Sequence, residues 1–193
     1  MGGDLGPQPS LEAALVCLDS FPRLRLQWIG PANQLQGMLA QVPADQQHLL
    51  ARISIIGADD VVELADDMLV ALRQKQDSSM YIALQRVADG LADACVSCGN
   101  SAALMALSRQ LLDTLPGFDR PAFASHIPTT GAPCLVVDMG ANLSPSAEQL
   151  LQYAVSGQAL EQAMQPNIPV QVGLLNIAAE AGKGQPEVQI AHD

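Results

Sequence analysis

Positive charge is what this sequence has least of. Nine Lys and Arg stand against twenty Asp and Glu in 193 residues, a formal charge of −11. A surface this acidic repels nucleic acid and anionic lipid, so no nucleic-acid partner is expected. Aromatic residues are scarce too, at 3%. No apolar run approaches the ~20 residues that a membrane helix needs. No charged segment leads into an apolar core, so no secretory signal is read. Gly6 stands where an N-myristoylation motif wants Ser or Thr. Cysteines number four: Cys17, Cys95, Cys98 and Cys134. Cys95 and Cys98 have the spacing of a redox or zinc pair, but zinc wants about four ligands and the other Cys and His residues are scattered singly. The expectation is four reduced, mostly buried cytosolic thiols and no metal, with a redox role as the lesser alternative. Internal repeats, low-complexity tracts, linkers and a dinucleotide fingerprint are also missing.

What is present suits helices packed on a sheet. Hydrophobic residues make up 49% of the chain, with Ala, Leu, Val and Gln prominent. This length buries one sizeable core, so a single domain over residues 1–193 is expected. The glycine-rich opening Met1-Gly2-Gly3-Asp4-Leu5-Gly6-Pro7 reads as a loop delivering a helix that runs to about Ser20. Leu24 to Ile29 alternates and stops at Gly30-Pro31, as a strand does. A helix follows from Pro31 to about Gln41, then a strand from Leu49 to Ile56 ended by Gly57. The segment from Asp66 to Met80 reads as a short helix closing in cations, which suit its C-terminal dipole. A second helix follows, capped by Ser78 or Ser79 and running to about Asp89.

The most informative stretch runs from Asp93 to Leu107. It opens as a small-residue apolar run that reads as a buried strand, turns at Gly99, and enters a helix capped by Asn100 or Ser101 that reaches about Leu112. The first-turn N–H groups of such a helix make an anion site at the carboxyl end of a strand in an open α/β sheet. Taken alone, such a joint recurs several times in any α/β protein. Beyond it, Arg120–Ala124 and Cys134–Asp138 read as strands, the second placing the Asp138 carboxylate at its end. The longest helix is expected from Ser144 to about Met164, a further strand from Pro169 to Leu175, a loop from Asn176 to Gly184, and a helix from Pro186 to Asp193. Strands alternating with helices at this spacing give an α/β protein with a mostly parallel sheet and helices on both faces.

Five of these segments, in order, resemble the bacterial phosphate acyltransferases of phospholipid synthesis. The opening loop is similar to that family's M-G-G-D-x-G-P, and Asp66–Met80 to its D-D-x-x-x-x-A-L-R-x-K-x-D-S-S-M. Ala94–Met105 resembles S-A-G-N-T-G-A-L-M, with Cys98, Ser101 and Ala102 as departures. Asp138-Met139-Gly140-Ala141-Asn142 matches D-x-G-A-N. Asn176–Gly184 resembles N-I-G-E-E-E-x-K-G, keeping Asn176, Glu180, Lys183 and Gly184 but carrying Ala178, Ala179 and Ala181 in place of the Gly and two acids.

The resemblance implies a three-layer α/β/α, Rossmann-like fold, truncated: the family's first strand and its later part with D-G-F-x-G-N have no counterpart here. It implies attack of inorganic phosphate on the thioester of an acyl carrier protein, giving an acyl phosphate without metal or cofactor. It further implies a cytoplasmic homodimer with peripheral membrane contact. Because the nucleophile is a substrate, the protein must hold phosphate, aim it, and stabilise the tetrahedral oxyanion. The resemblance marks Asn100, Asp138, Asn142 and Lys183 as catalytic candidates: phosphate holding at Asn100 and Lys183, oxyanion donation at Asn142, orientation of a donor by Asp138. Gly2, Gly3, Asp4, Arg73, Lys75, Ser78, Ser79, Gly99, Ser101, Asn176 and Glu180 are the binding candidates. Arg73 and Lys75, with Arg86 on the next helix, are expected to receive the acidic carrier protein or phosphate; the alternative is that the first two only complement a helix dipole. A phosphate-binding but catalytically inactive domain is the second reading. A related dehydrogenase-type fold is the third.

Overall fold

In the computed structural model, residues 1–177, 180 and 183–193 are described. The chain divides into two compact units, Met1–Asp113 and Thr114–Asp193.

The first unit is built on a parallel pair of strands, β1 (Leu26–Gly30) and β2 (Ile53–Gly57), paired from Leu26–Ile53 to Gly30–Gly57. Helix α1 (Gln8–Ser20) buries Leu11, Leu15 and Leu18, spaced at one helical face, against Val42, Leu49, Trp28 and Ile53. Its last carbonyls are satisfied by Arg52, whose guanidinium donates to Leu18 O at 2.6 Å and Phe21 O at 2.9 Å, as cations do at helix C-termini. This explains a correction: the expected strand from Leu49 begins only at Ile53, because Gln47–Arg52 winds into a 3-10 helix. That turn buries Leu49 and brings Arg52 to α1.

Helix α2 (Ala32–Leu39) follows β1, and a second core forms among α3 (Met68–Gln74), α4 (Ser79–Ala88) and α5 (Ser101–Leu111). There Ala71, Met80, Leu84, Ala103 and Leu107 close around Val62, with Cys95 packed at the edge. The caps are side chains: Asp67 for α3, Ser78 for α4 and Asn100 for α5. The run before Cys98, expected as a buried strand, is irregular. Val96 is 92% exposed and only Cys95 reaches the core, so a short run of small residues has neither a ladder partner nor enough apolar surface to bury.

The second unit holds an antiparallel pair, β3 (Ala124–Ile127) and β4 (Cys134–Val137). Helix α6 (Ala147–Met164) begins in a capping box of Ser146 and Gln149 and lies against β4. It comes close enough that a Cβ on Gly157 would stand 3.3 Å from a Val137 methyl. Helix α7 (Pro186–His192) packs on α6. Pro169–Leu175, expected as a strand, has no ladder partner among the described residues, and Val172 and Leu175 are exposed. The α/β class therefore holds, and the parallel pair with its helices is compatible with a Rossmann-like fold. The expected mostly parallel sheet is replaced by two two-stranded sheets, one parallel and one antiparallel.

Candidate functional site

In the first unit the chain gathers several loops at the carboxyl ends of β1 and β2, the edge where open α/β sheets bind ligands. Met1 lies against Gly30, the last residue of β1. The chain leaving β2 bonds back at once, Ala58 N–H to Gly30 O at 2.9 Å, and then runs as the Asp60–Asp67 loop. Gly2 sits at φ +73°, and a Cβ there would stand 2.8 Å from Val62 O, so only glycine passes this point unstrained. Gly3 lies against the Cys98 carbonyl and Gly99 against the Met80 methyl, so the opening loop and the Ser97–Asn100 turn meet. Asp4 is exposed in the turn closed by Gly6 N–H on Gly3 O.

Asn100 joins two of these loops. Its Oδ1 accepts the Ala103 N–H at 3.0 Å, capping α5. Its Nδ2 faces the carbonyls of Asp66 at 3.1 Å, Leu64 at 3.2 Å and Glu63 at 3.4 Å. Among the described residues the N–H groups of Ser101 and Ala102 have no acceptor, and Ser101 is exposed. These two amides at the positive end of an eleven-residue helix are the part of the cluster suited to an anion.

Lys75 is not the free surface cation that the sequence implies. Its Nζ donates to Asp66 Oδ2 and to Val61 O, each at 2.6 Å, and stands 3.7 Å from Asp60. The hydrogen bond from Lys75, then the Glu63 N–H, hold the Asp66 carboxyl below the usual carboxylate range. The bond to Asp66 in turn raises the Lys75 ammonium, against the opposing effect of burial. Ser78 is fully buried, caps α4 by accepting the Tyr81 N–H, and donates to Lys75 O at 2.6 Å. Ser79 is buried and donates its N–H to Asp60 O. Both serines are thus held inside the fold. Arg86 is drawn to Gln27 of β1. Arg73, in the last turn of α3, is exposed and makes no ion pair among the described residues.

The second unit places Asp138 just past β4, where its carboxylate gathers four donors. Oδ1 accepts from Phe123 N–H at 2.9 Å and Ala141 N–H at 3.2 Å; Oδ2 accepts from Asn142 N–H at 2.7 Å and Asn142 Nδ2 at 2.9 Å. Burial pushes the Asp138 carboxyl up, but the Asn142 amide and the three backbone N–H groups outweigh it and leave it below its ordinary value. Asn142 Nδ2 also donates to Pro121 O at 3.1 Å, so both its protons are engaged within the fold. Tyr153, 3% exposed, has a buried hydroxyl without a partner among the described residues. Burial, then the nearby Asp138 charge, pushes that phenol up.

Farther along, Asn176 Nδ2 donates to Lys183 O at 2.9 Å, Lys183 N–H to Glu180 O, and the Glu180 and Lys183 side chains are exposed. The departures at Ala178, Ala179 and Ala181 lie outside the described residues. The four cysteines are free, but Cys17, Cys98 and Cys134 are exposed rather than buried as expected; only Cys95 is half-buried, and burial pushes its thiol up, which makes it a poor thiolate. The partners that sequence reasoning missed are Asp60, Asp66 and Tyr153; the Asp66-Asp67 pair preceding a Lys nine positions on was the one available signal.

The first unit thus belongs to the class of α/β proteins with a loop cluster at the carboxyl edge of parallel strands. More specifically, this chain belongs to the fatty acid synthesis protein family, whose model matches residues 1–193. It is similar to the phosphate acyltransferase of Pseudomonas putida, at 46% identity over 191 residues covering 99% of this chain and 56% of the relative. The phosphate acyltransferases of Stutzerimonas stutzeri (45% identity; 52% of that protein) and Bordetella parapertussis (46%; 54%) match over 99% of this chain as well. The chain spans about half the length of these relatives.

Proposed function

We propose that this chain carries out, or supplies part of, an acyl-acyl carrier protein:phosphate acyltransferase reaction that makes acyl phosphate for phospholipid synthesis. A phosphate oxygen attacks the thioester carbonyl, the C–O bond forms as the C–S bond breaks, and the carrier thiolate leaves and takes up a proton. The observation that carries the reading is the similarity over nearly the whole chain to relatives named phosphate acyltransferase. Supporting it, the free Ser101 and Ala102 amides stand where the resemblance expects phosphate. Asn100, Gly2, Gly3 and Gly99 act here by shaping that cradle. Lys183 and Glu180 act as exposed groups of a second loop, and Asp138 with Asn142 holds the turn after β4 rather than donating to an oxyanion.

The proposal takes in acyl carrier protein and inorganic phosphate as substrates, a homodimer, and a cytoplasmic site of action with peripheral membrane contact. It also takes a three-layer α/β/α, Rossmann-like fold for the complete family protein. Among the described residues no helix is long and apolar enough to cross a membrane. The inactive phosphate-binding reading is favoured by one observation: Lys75, Asn100 and Asn142 all spend their donors inside the fold. Incubation with acyl-acyl carrier protein and phosphate, trapping acyl phosphate as the hydroxamate, separates the two. Hydroxamate formed only when phosphate is present supports the transferase. Saturable phosphate binding without hydroxamate leaves the binding domain, and the absence of both hydroxamate and phosphate binding removes both readings.

A further inference from the structure

We propose that Lys75 and Asp66 form a latch that positions Asn100, and through it the free amides at the start of α5. Three elements meet in it. Lys75, just past α3, reaches across to Val61 O and Asp66 Oδ2, both at 2.6 Å. Asp66 uses its other contacts on the same loop, taking the Glu63 N–H at 2.8 Å on its side chain and offering its backbone carbonyl to Asn100 Nδ2 at 3.1 Å. Asn100 spends its remaining oxygen on the Ala103 N–H. An Asn amide with an anchored Nδ2 has one orientation, so its Oδ1 stays on the cap. Without the anchor the side chain is free to rotate and the first turn of α5 frays.

This role differs from the phosphate or carrier contact that the sequence implies for Lys75. The Lys75 side chain is only 17% exposed and Asp66 21%, so neither is set out for a macromolecular partner. Holding a loop by a charged pair plus a carbonyl contact also restrains the Gly2 passage, since Val61 and Val62 are the residues that Gly2 crosses. The hydrogen-bonded partners shift each other's protonation in the directions a formed pair requires, Asp66 down and Lys75 up. The functional part of the inference rests on the reading of the α5 amides as the phosphate cradle; the latch itself does not.

The test is amide hydrogen exchange on the full chain with Lys75→Met, Asp66→Asn and the double variant, alongside equilibrium dialysis with inorganic phosphate. Exchange at Ala103 should speed by about three- to tenfold, the size of one net hydrogen bond, while Leu84 and Leu107 in the core keep their protection. The double variant should be no worse than either single one, since both break one device. Unchanged Ala103 exchange, or additive effects in the double variant, overturns the latch. Weaker phosphate binding in the same variants extends it to the cradle. Faster Ala103 exchange in a chain that binds no phosphate upholds the latch and removes the phosphate reading.

Should a variant fail to fold, the unaltered chain serves. The charge facing Asp66 is Lys75, which in turn faces Asp60 and Glu63. Because its carboxyl is held low, the latch is closed above the ordinary carboxylate value and opens as pH falls through the lowered one. Protection at Ala103 should drop over that range while Leu107 stays protected, and a flat profile overturns the proposal.

Discussion

The two units are held together by different physics. Among the described residues every buried hydrophobic side chain but Tyr153 lies in the first unit, most of them in two clusters, one under α1 and one among α3, α4 and α5. The second unit is stitched by polar contacts: four donors on Asp138, a His126–Glu161 pair tying β3 to α6, and the Ser146–Gln149 capping box. It leaves Leu143, Leu151, Val155, Met164, Leu175 and Ile190 exposed. Buried apolar area is the dominant favourable contribution to folding, whereas each hydrogen bond nets only about 0.5–1.5 kcal/mol. The comparison teaches that the first unit carries its own stability, and the second depends on keeping a few carboxylate contacts.

The largest effect should come from the apolar side. Leu107→Ala removes a fully buried side chain from the second cluster and is expected to cost about 2–5 kcal/mol. Thermal unfolding followed by exchange mass spectrometry should show that loss in residues 1–113 alone; an equal loss in residues 114–193 would break the comparison. Asp138→Ala strips four donors of their acceptor and should cost about 2–3 kcal/mol, seen as earlier opening of β3, β4 and α6. Survival of α6 protection in that variant would show that apolar packing holds the second unit after all.

Acid should separate the units with no substitution. The Asp138 carboxyl is held below its ordinary value, so its contribution is complete above the unfolded value of about 3.9 and is lost as pH falls through the lowered one. Helix α6 should lose exchange protection over that window while Leu18 and Leu107 keep theirs, and Asp138→Asn should flatten the response. The smallest effect belongs to Arg73→Glu. An exposed change of this kind moves stability by less than about 0.5 kcal/mol. Under the proposed function it should raise the KM for acyl carrier protein, most at low salt; an unchanged KM leaves Arg73 as a dipole partner only.

The sequence was legible where a rule is local. Helix starts at Asn100 and Ser78 follow from residues whose side chains cap, while the capping box of Ser146 and Gln149 puts the start of α6 just past the expected Ser144. The strand ending at Gly30 and the strand beginning at Cys134 were read within a few residues of their places. Reading failed where a run of suitable composition lacked a neighbour. Asp93–Ser97 and Pro169–Leu175 have strand-like content, but a strand exists only when another chain segment accepts its ladder, and none does so among the described residues. The candidate residues were likewise found as types in motifs, but not in their roles. Lys75 looked like a free cation because nothing local in its helix end announces Asp66.

By itself, then, the order of motifs from Gly2 to Lys183 determined the family, because family membership is written in residue identity and spacing. Which donors remain free to act was decided only by tertiary structure. A side chain's hydrogen-bonding capacity is finite, and whether Asn100, Lys75 and Asn142 spend it on a ligand or on carbonyls from segments 14 to 34 residues away depends on what folding brings within about 3 Å.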